Sequence, residues 1–457
     1  MRKILSTLLL VSFFMVNYGY ASKLFLIGGD LDGNYPQIYN DMASIIGFKL
    51  DRRVACGSWD TSKCPKVAII TSAADSSADG DKLSYSFYKK LFEDNGFVTA
   101  HVSAHIDNYK NATNLSTAAG KRNEKIINQA NIIFFNGGNQ AFHSRTWLNN
   151  DGSYNQLMQV IHKRFDQGVL VAGTSAGMAV QGQVTFGGAN DSDSNSFGII
   201  YFHTSQGLAK KHVIDGTING TSFNDTRVNP NPSLVELQQK QNGGDMLGFS
   251  FTPNNVILDT HFGIRGRIGR LISAMIDTNK SIGIGIDQED TALLLESDDS
   301  KNNKFTARAY GKNGVYIFST ANSKIASKDG FLKVSNITMD YLSAGDKVSF
   351  NKNKLGVISA KNKHKINPAF NLPIATENIL APYNVFNTIS KLAKDKVNVA
   401  IGKTKTPPGY PASTPIFKFT FRKGKDWQAY CIIDNNKCKN GYGDYTIKDL
   451  SVSIEPQ

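Results

Sequence analysis

The sequence predicts an α/β fold: a mostly parallel sheet with helices on both faces. Strand-like and helix-like runs alternate with short connections from Lys23 to about Ser349, the arrangement that covers a parallel sheet on both sides. Several apolar runs end in glycine, at Gly28-Gly29, Gly137-Gly138 and Gly173. In such sheets reactive groups gather beyond the carboxyl ends of the strands, so these three ends are expected to face one crevice.

The elements follow in order. Arg2 and Lys3 precede an apolar run from Ile4 to Val16, and Gly19 and Ala21 place small residues at a cleavage position. This predicts a secretory signal peptide over 1–21, too short for a membrane span. KLFLIGG, from Lys23, is a strand; KVAIITSAAD, from Lys66, is a second strand running into a polar turn. SYSFYKKLFEDNGF, from Ser84, spaces its apolar residues as a helix does and stops at Asn95-Gly96. The strand VTAHVSAHI follows, then a helix across Asn123 to Gln129. Next come the strand NIIFFNGGN, the helix YNQLMQVIHKRFDQG and a strand from Gly168 to Ala172. Residues 184–250, rich in Gly, Asn, Asp, Ser and Thr, read as an irregular insertion. Asp191 and Asp193 in it lack the later glutamate of a calcium loop. The strand NNVILDTHF, the glycine-rich helix start GIRGRIGRLISAMI, the strand SIGIGID and the run TALLLE complete a body over 22–350.

Residues 351–457 read as a separate β-rich module. They hold 17 Lys and Arg against 7 Asp and Glu within a chain of net charge +13, which leaves the body near neutral. IFKFTFRKGKDW alternates Phe417, Phe419 and Phe421 with Lys418, Thr420 and Arg422, one apolar face and one mainly basic face of a strand. Such a tail is expected to be drawn to anionic surfaces, with a solvated basic surface that aids solubility as the alternative. The four cysteines form two local pairs, Cys56 with Cys64 and Cys431 with Cys438. In an oxidising compartment these predict two short-loop disulfides, and neither pair has the C-x-x-C spacing of a zinc site. CIIDNNKC fits a hairpin closed by the second pair.

One motif carries chemistry. LVAGTSAGMAVQG, from Leu170, breaks a strand into Gly173-Thr174-Ser175-Ala176-Gly177 and resumes as a small-residue helix. Glycines at this spacing let two backbones crowd together while the serine takes a strained turn at a helix N-terminus. A nucleophilic serine needs a base and a group that holds the base. Of the eight histidines, His261 alone follows a clean buried-strand signal, VILDTHF, while Asp287, Glu289 and Asp290 end another apolar strand. The chain order serine, histidine, acid differs from that of the α/β-hydrolases and disfavours a serine esterase. Arg265, Arg267 and Arg270 crowd a helix start whose dipole favours anions. Planar guanidinium groups there suit a carboxylate ligand, with pairing to Asp259 or Glu289 as the structural alternative.

FFNGGNQ, GTSAGMA, DTHFGIRGRIGRL and GIGIDQEDTAL, in this order, together resemble the cyanophycinases of serine peptidase family S51. The resemblance implies a fold related to class I glutamine amidotransferases, with serine in place of the cysteine nucleophile. It makes Ser175 the nucleophile, His261 the base and Glu289 the acid that orients it. Gly138 and Ala176 would supply oxyanion N–H groups. Gln140, Asp259, Arg265, Arg267 and Arg270 would line the substrate pocket. Two departures stand out: Thr260 replaces a glutamine, removing one substrate contact, and Gln288 is inserted into the family's I-D-E run.

The resemblance further implies an exported peptidase that cuts cyanophycin, an arginyl-polyaspartate, to β-aspartyl-arginine dipeptides. An aspartyl dipeptidase-like activity on other acidic peptides and an inactive binding homologue are the alternatives. The partners expected are a substrate rich in aspartate and arginine, an anionic surface for the tail and a second copy in a homodimer. Nucleic acid, a membrane span, a metal and a cofactor are not expected.

Overall fold

The computed structural model describes residues 22–74, 78–149, 151–186, 196–197, 200, 246–299, 304–329, 331–351, 354–406 and 412–457. The signal-peptide reading, the reading of Asp191 and Asp193, and most of the insertion fall outside these residues.

Five strands form the parallel core: β1 (Ser22–Ile27), β2 (Lys66–Ile70), β3 (Val98–Val102), β4 (Ile132–Phe135) and β5 (Leu170–Thr174), in the order β3-β2-β4-β5-β1. All five residues of β5 and all four of β4 are buried. This is expected where helices cover both faces and the strand reads as a continuous apolar run. The helices are α1 (Pro36–Ile45), α2 (Ala78–Asp94), α3 (Tyr109–Ala112), α4 (Ala118–Gln129), α5 (Gln140–Trp147) and α6 (Gln156–Asp166). The expected stop holds, with Gly96 at φ 89° just beyond α2, and α6 is capped by Asn155, which accepts from the Met158 N–H at 3.0 Å. β5 runs into the one-turn helix α7 (Ala176–Ala179).

A short ladder, β6 (Val184–Thr185) with β7 (Met246–Leu247), brackets the insertion. Then come β8 (Val256–Asp259), α8 (Ile268–Asp277), β9 (Ile282–Ile286), β10 (Ala292–Asp299), β11 (Lys304–Tyr310) and β12 (Gly314–Ser319). β10 pairs antiparallel with β1, and β11, Lys347–Asn351 and Lys354–Ile358 extend that edge. The sheet is therefore parallel at its core and antiparallel beyond β1.

β8 and β9 pair with each other in parallel but belong to a second sheet. It continues antiparallel through β12, Phe331–Ser343, Tyr445–Pro456, Phe417–Cys431 and Val399–Lys403. This corrects the separate-module reading of 351–457. The tail strands lie in the same sheet as β8 and β9, and one apolar core joins Ile257, Phe262 and Leu271 to Phe417, Phe419 and Phe421. The boundary near 350 falls inside a hairpin of the first sheet. Tail and body are also tied by a buried charge cluster, in which Lys363 Nζ donates to Asp346 and Ser343, each at 2.7 Å, and to Thr446 at 3.0 Å. The alternation read at Phe417, Phe419 and Phe421 is real, with all three buried. CIIDNNKC forms the expected hairpin, Ile433–Asp434 against Lys437–Cys438, with Asn435 and Asn436 both at positive φ. The sulfurs of each expected cysteine pair lie at bonding distance, 2.12 Å for Cys56 and Cys64 and 2.04 Å for Cys431 and Cys438.

Candidate active site

The site forms where the carboxyl ends of both sheets meet at the end of β1. Ile27 O accepts from the Ser175 N–H at 3.1 Å, and Gly28 O accepts from the His261 N–H at 2.9 Å. The glycines at this end are required by close approach. A Cβ on Gly28 would lie 1.9 Å from Asp287 O, and one on Gly29, at φ 145°, would lie 2.1 Å from His261 Cε1. The same holds within the serine motif. A Cβ on Gly173 would strike Gly177 O at 2.2 Å, and one on Gly177 would strike Phe135 O at 2.2 Å.

With its neighbours pressed together, Ser175 takes φ 51°, ψ −115°, outside the regions usual for a side-chain-bearing residue, and its side chain remains partly exposed. Its Oγ lies 2.7 Å from His261 Nε2. His261, at φ 45°, is 4 % exposed. Ser175 and His261, 86 residues apart, are thus brought into contact as expected.

The third position differs from expectation. His261 Nδ1 lies 2.8 Å from Gln288 Oε1, while Glu289 is exposed. The ladders of β9 with β8 and with β12 run without a register shift to Gly285 and Ile286. No bulge precedes Gln288. Asp287 is turned inward, where its carboxylate accepts from the Gly263 N–H at 2.6 Å and the Gly314 N–H at 3.4 Å. That leaves the next residue, Gln288, to meet the histidine. Gln288 therefore stands in the acid's place, and Glu289 is not the partner. Asp290 is also accounted for, accepting from the Asp32 N–H at 3.2 Å and from Lys312 Nζ at 3.1 Å.

An amide oxygen can only accept, so Nδ1 carries the proton and Nε2 is left to accept from the Ser175 hydroxyl. Burial, and next the charge of Arg265, lower the His261 pKa to about 4. The imidazole is neutral at pH 7 and holds the form a general base needs. Burial raises the Asp287 carboxyl to about 7 and the Asp290 carboxyl to about 6, and their hydrogen bonds make both loop anchors.

The two glycines after β4 lie beside the serine. A Cβ on Gly137 would be 3.4 Å from Ser175 Cβ. Gly138, exposed and at φ 141°, passes so close to Ala73 that a Cβ would lie 2.0 Å from its carbonyl oxygen. Ala176 opens α7, where an N–H has no acceptor within the helix.

The expected pocket residues divide. Arg267 and Arg270 do reach one anion together, but that anion is Asp259. Arg270 Nε donates to Asp259 Oδ2 at 2.8 Å and its Nη2 to Oδ1 at 2.5 Å, while Arg267 Nη1 donates to Oδ1 at 3.1 Å and to Thr260 Oγ1 at 2.9 Å. All three charged residues are buried, at 1 %, 4 % and 4 % exposure. β8 delivers Asp259 into the interior and the start of α8 folds its arginines back onto it, so Asp259, Arg267 and Arg270, expected to line the pocket, form a buried ion cluster with one another. Arg270 also lies over the Phe186 ring at 4.3 Å. Gln140 is half-buried and donates to Phe186 O at 3.1 Å. Arg265 is half-buried and close enough to His261 to depress its pKa.

The sequence reading missed Gln288, because an acid was sought at that position. It also passed over the fully buried His143, which sits in helical text with no local signal.

Comparison with known proteins finds similarity over part of the chain. The family model "Peptidase family S51" matches residues 61–243, a stretch that contains Gly137, Gly138 and Ser175 and ends before His261. A cyanophycinase of Geminocystis herdmanii is 27 % identical over 231 residues, covering 49 % of this chain and 64 % of that one. A cyanophycinase of Trichormus variabilis is 30 % identical over 197 residues, covering 42 % and 49 %. The chain thus spans less than two thirds of the length of either relative. A crystal structure of a peptidase from an acI-B1 Actinobacterium aligns with TM-score 0.44 at 18 % identity, covering 73 % of this chain and 98 % of that one. A putative peptidase E protein from Listeria monocytogenes EGD-e aligns at 0.34 and 11 %, covering 64 % and 98 %.

Proposed function

We propose that this chain, matched by the peptidase family S51 model over residues 61–243 and similar to cyanophycinases, is a serine-type peptidase acting through Ser175, His261 and Gln288. The observation that carries the reading is the 2.7 Å approach of Ser175 Oγ to His261 Nε2, from a serine at φ 51°. Ser175 Oγ attacks the carbonyl carbon of the scissile amide as its proton passes to Nε2. The oxyanion that forms is met by the N–H groups of Gly138 and Ala176, donors of a kind each worth about 3 kcal/mol of barrier. The imidazolium returns the proton to the leaving amine. Water, deprotonated by the same nitrogen, then releases the acyl group and restores the serine.

The substrate class is peptides or polymers rich in aspartate and arginine, with cyanophycin the first choice and aspartyl dipeptides the second. Arg265, whose charge bears on His261, would hold a substrate carboxylate, with Gln140 at the rim. The protein acts after export, with signal peptide 1–21 removed and both cysteine pairs oxidised. The lysines and arginines of the tail draw it to anionic surfaces.

A second reading, a binding homologue with little turnover, is favoured by the neutral Gln288 in the acid's place. Incubation with insoluble cyanophycin, with released dipeptides read by mass spectrometry, separates the two. Turnover by the natural chain that is lost in Ser175→Ala supports the peptidase. Retention of substrate without release supports the binder, and a wild-type rate in Ser175→Ala refutes the nucleophile.

A further inference from the structure

We propose that Tyr88 and His143 are positioning residues that clamp the peptide joining Asn136 to Gly137 and so aim the following N–H, that of Gly138, at the oxyanion. This rests on the assignment of Ser175 as nucleophile. Both ends of the peptide are held from opposite sides. Its N–H, on Gly137, donates to Tyr88 Oη at 3.2 Å. Its carbonyl, on Asn136, lies 3.0 Å from His143 Nε2.

The proton positions around His143 follow from its neighbours. A carbonyl only accepts, so Nε2 must carry the proton, and Nδ1 must then accept. Ser72 Oγ lies 2.7 Å from Nδ1 and donates to it, while Ser72 Oγ itself accepts from Trp147 Nε1 at 2.8 Å. The chain Trp147 to Ser72 to His143 to Asn136 has one consistent direction. Burial lowers the His143 pKa to about 4, so the neutral ring that this direction needs is the form present at pH 7.

The rest of Asn136 is equally engaged. Its N–H donates to Ile70 O at 3.0 Å, its Oδ1 accepts from the Ala73 N–H at 3.1 Å, and its Nδ2 donates to Ser84 Oγ at 2.9 Å. Beyond the glycines, the Asn139 N–H donates to Ala73 O at 2.8 Å. The two-glycine segment is therefore fixed at both ends. Gly137 spends its N–H on Tyr88, so the donor assigned to the oxyanion is that of Gly138, at a φ of 141° suited to glycine. A preorganised donor costs no reorganisation as charge develops, which is why buried side chains distant from the substrate matter here.

Three variants in the full chain test this, the last a control for the second. Tyr88→Phe keeps the ring and removes the acceptor. His143→Phe keeps the aromatic packing against Phe135 and Phe249 and removes the donor, and His143→Gln restores a donor. Amide hydrogen exchange of the segment 136–138 is measured beside the rate at which a fluorophosphonate probe labels Ser175. We expect Gly137 exchange to accelerate in Tyr88→Phe. Labelling should slow about tenfold or more in both phenylalanine variants, with the probe's binding constant unchanged and largely recovered in His143→Gln, as sub-ångström misplacement of a catalytic group predicts. Unchanged exchange at Gly137 in Tyr88→Phe, or equal labelling rates across the variants, would overturn the clamp. Failure of the natural chain to label would overturn the nucleophile assignment instead, and the exchange rates would still decide the clamp.

Discussion

Gln288→Glu places a carboxylate where the structure has an amide oxygen, 2.8 Å from His261 Nδ1. The two side chains are nearly isosteric, so packing is unchanged and only charge is added. At present the histidine has a pKa of about 4, below the ordinary value of 6.5, because burial and Arg265 disfavour its cation. A hydrogen bond to a charged partner contributes about 1.5–3 kcal/mol, and one pKa unit is about 1.4 kcal/mol. The substitution should therefore raise the His261 pKa by about one to two units. The imidazolium formed during proton transfer gains the same stabilisation, so turnover well above that pKa should rise about tenfold or more. The assay is kcat/KM, or the rate of fluorophosphonate labelling, from pH 3.5 to 8. In the natural chain the acid limb should have its midpoint near 4, and in the variant it should move upward. Gln288→Ala should slow the reaction at all pH values by freeing the ring to turn, and Glu289→Gln should change little. An acid limb that stays in place in Gln288→Glu, or a larger loss in Glu289→Gln than in Gln288→Ala, would refute the reasoning.

Other consequences concern stability. Arg270→Met leaves Asp259 buried with its bidentate partner gone, so a loss of about 3–5 kcal/mol is expected, read as a lower denaturant midpoint; a large rise in KM with unchanged stability would return Arg270 to the substrate pocket. A chain ending at Ser349 loses Phe417, Phe419 and Phe421 from the core shared with Ile257 and Phe262, and it should not fold, as circular dichroism would show; a folded, active fragment would restore the separate module. His143 and His261 are buried with pKa values lowered to about 4, so the unfolded chain takes up protons first as pH falls. The stability they contribute is complete above pH 6.5 and is lost progressively towards pH 4, up to about 3 kcal/mol for each, and urea midpoints measured across that range should fall accordingly. Gly29→Ala drives a methyl group into the His261 ring at a φ of 145°, so activity should fall more steeply than melting temperature.

Local signals were legible in the sequence because local physics produces them. Apolar runs ending in glycine became adjacent strand ends at β1, β4 and β5, since only glycine lets Gly28, Gly29, Gly138 and Gly173 pass so close to other backbone or to a ring. The strained serine between two glycines and the histidine at the end of a buried strand were read for the same reason. So was the alternation of Phe417, Phe419 and Phe421. The tertiary structure alone decided which group meets the second nitrogen of His261. Along the chain, Asp287, Gln288, Glu289 and Asp290 are equivalent polar neighbours. They are distinguished only because Gly263 and Gly314 draw Asp287 inward and Lys312 holds Asp290. The same long-range pairing joined Asp259, Arg267 and Arg270 into a buried ion cluster, and it placed the tail strands beside β12 through Phe331–Ser343. Periodicity fixes which face of an element is apolar, whereas a charged side chain's partner depends on a contact between segments distant in sequence, and no short window of sequence contains both halves of that contact.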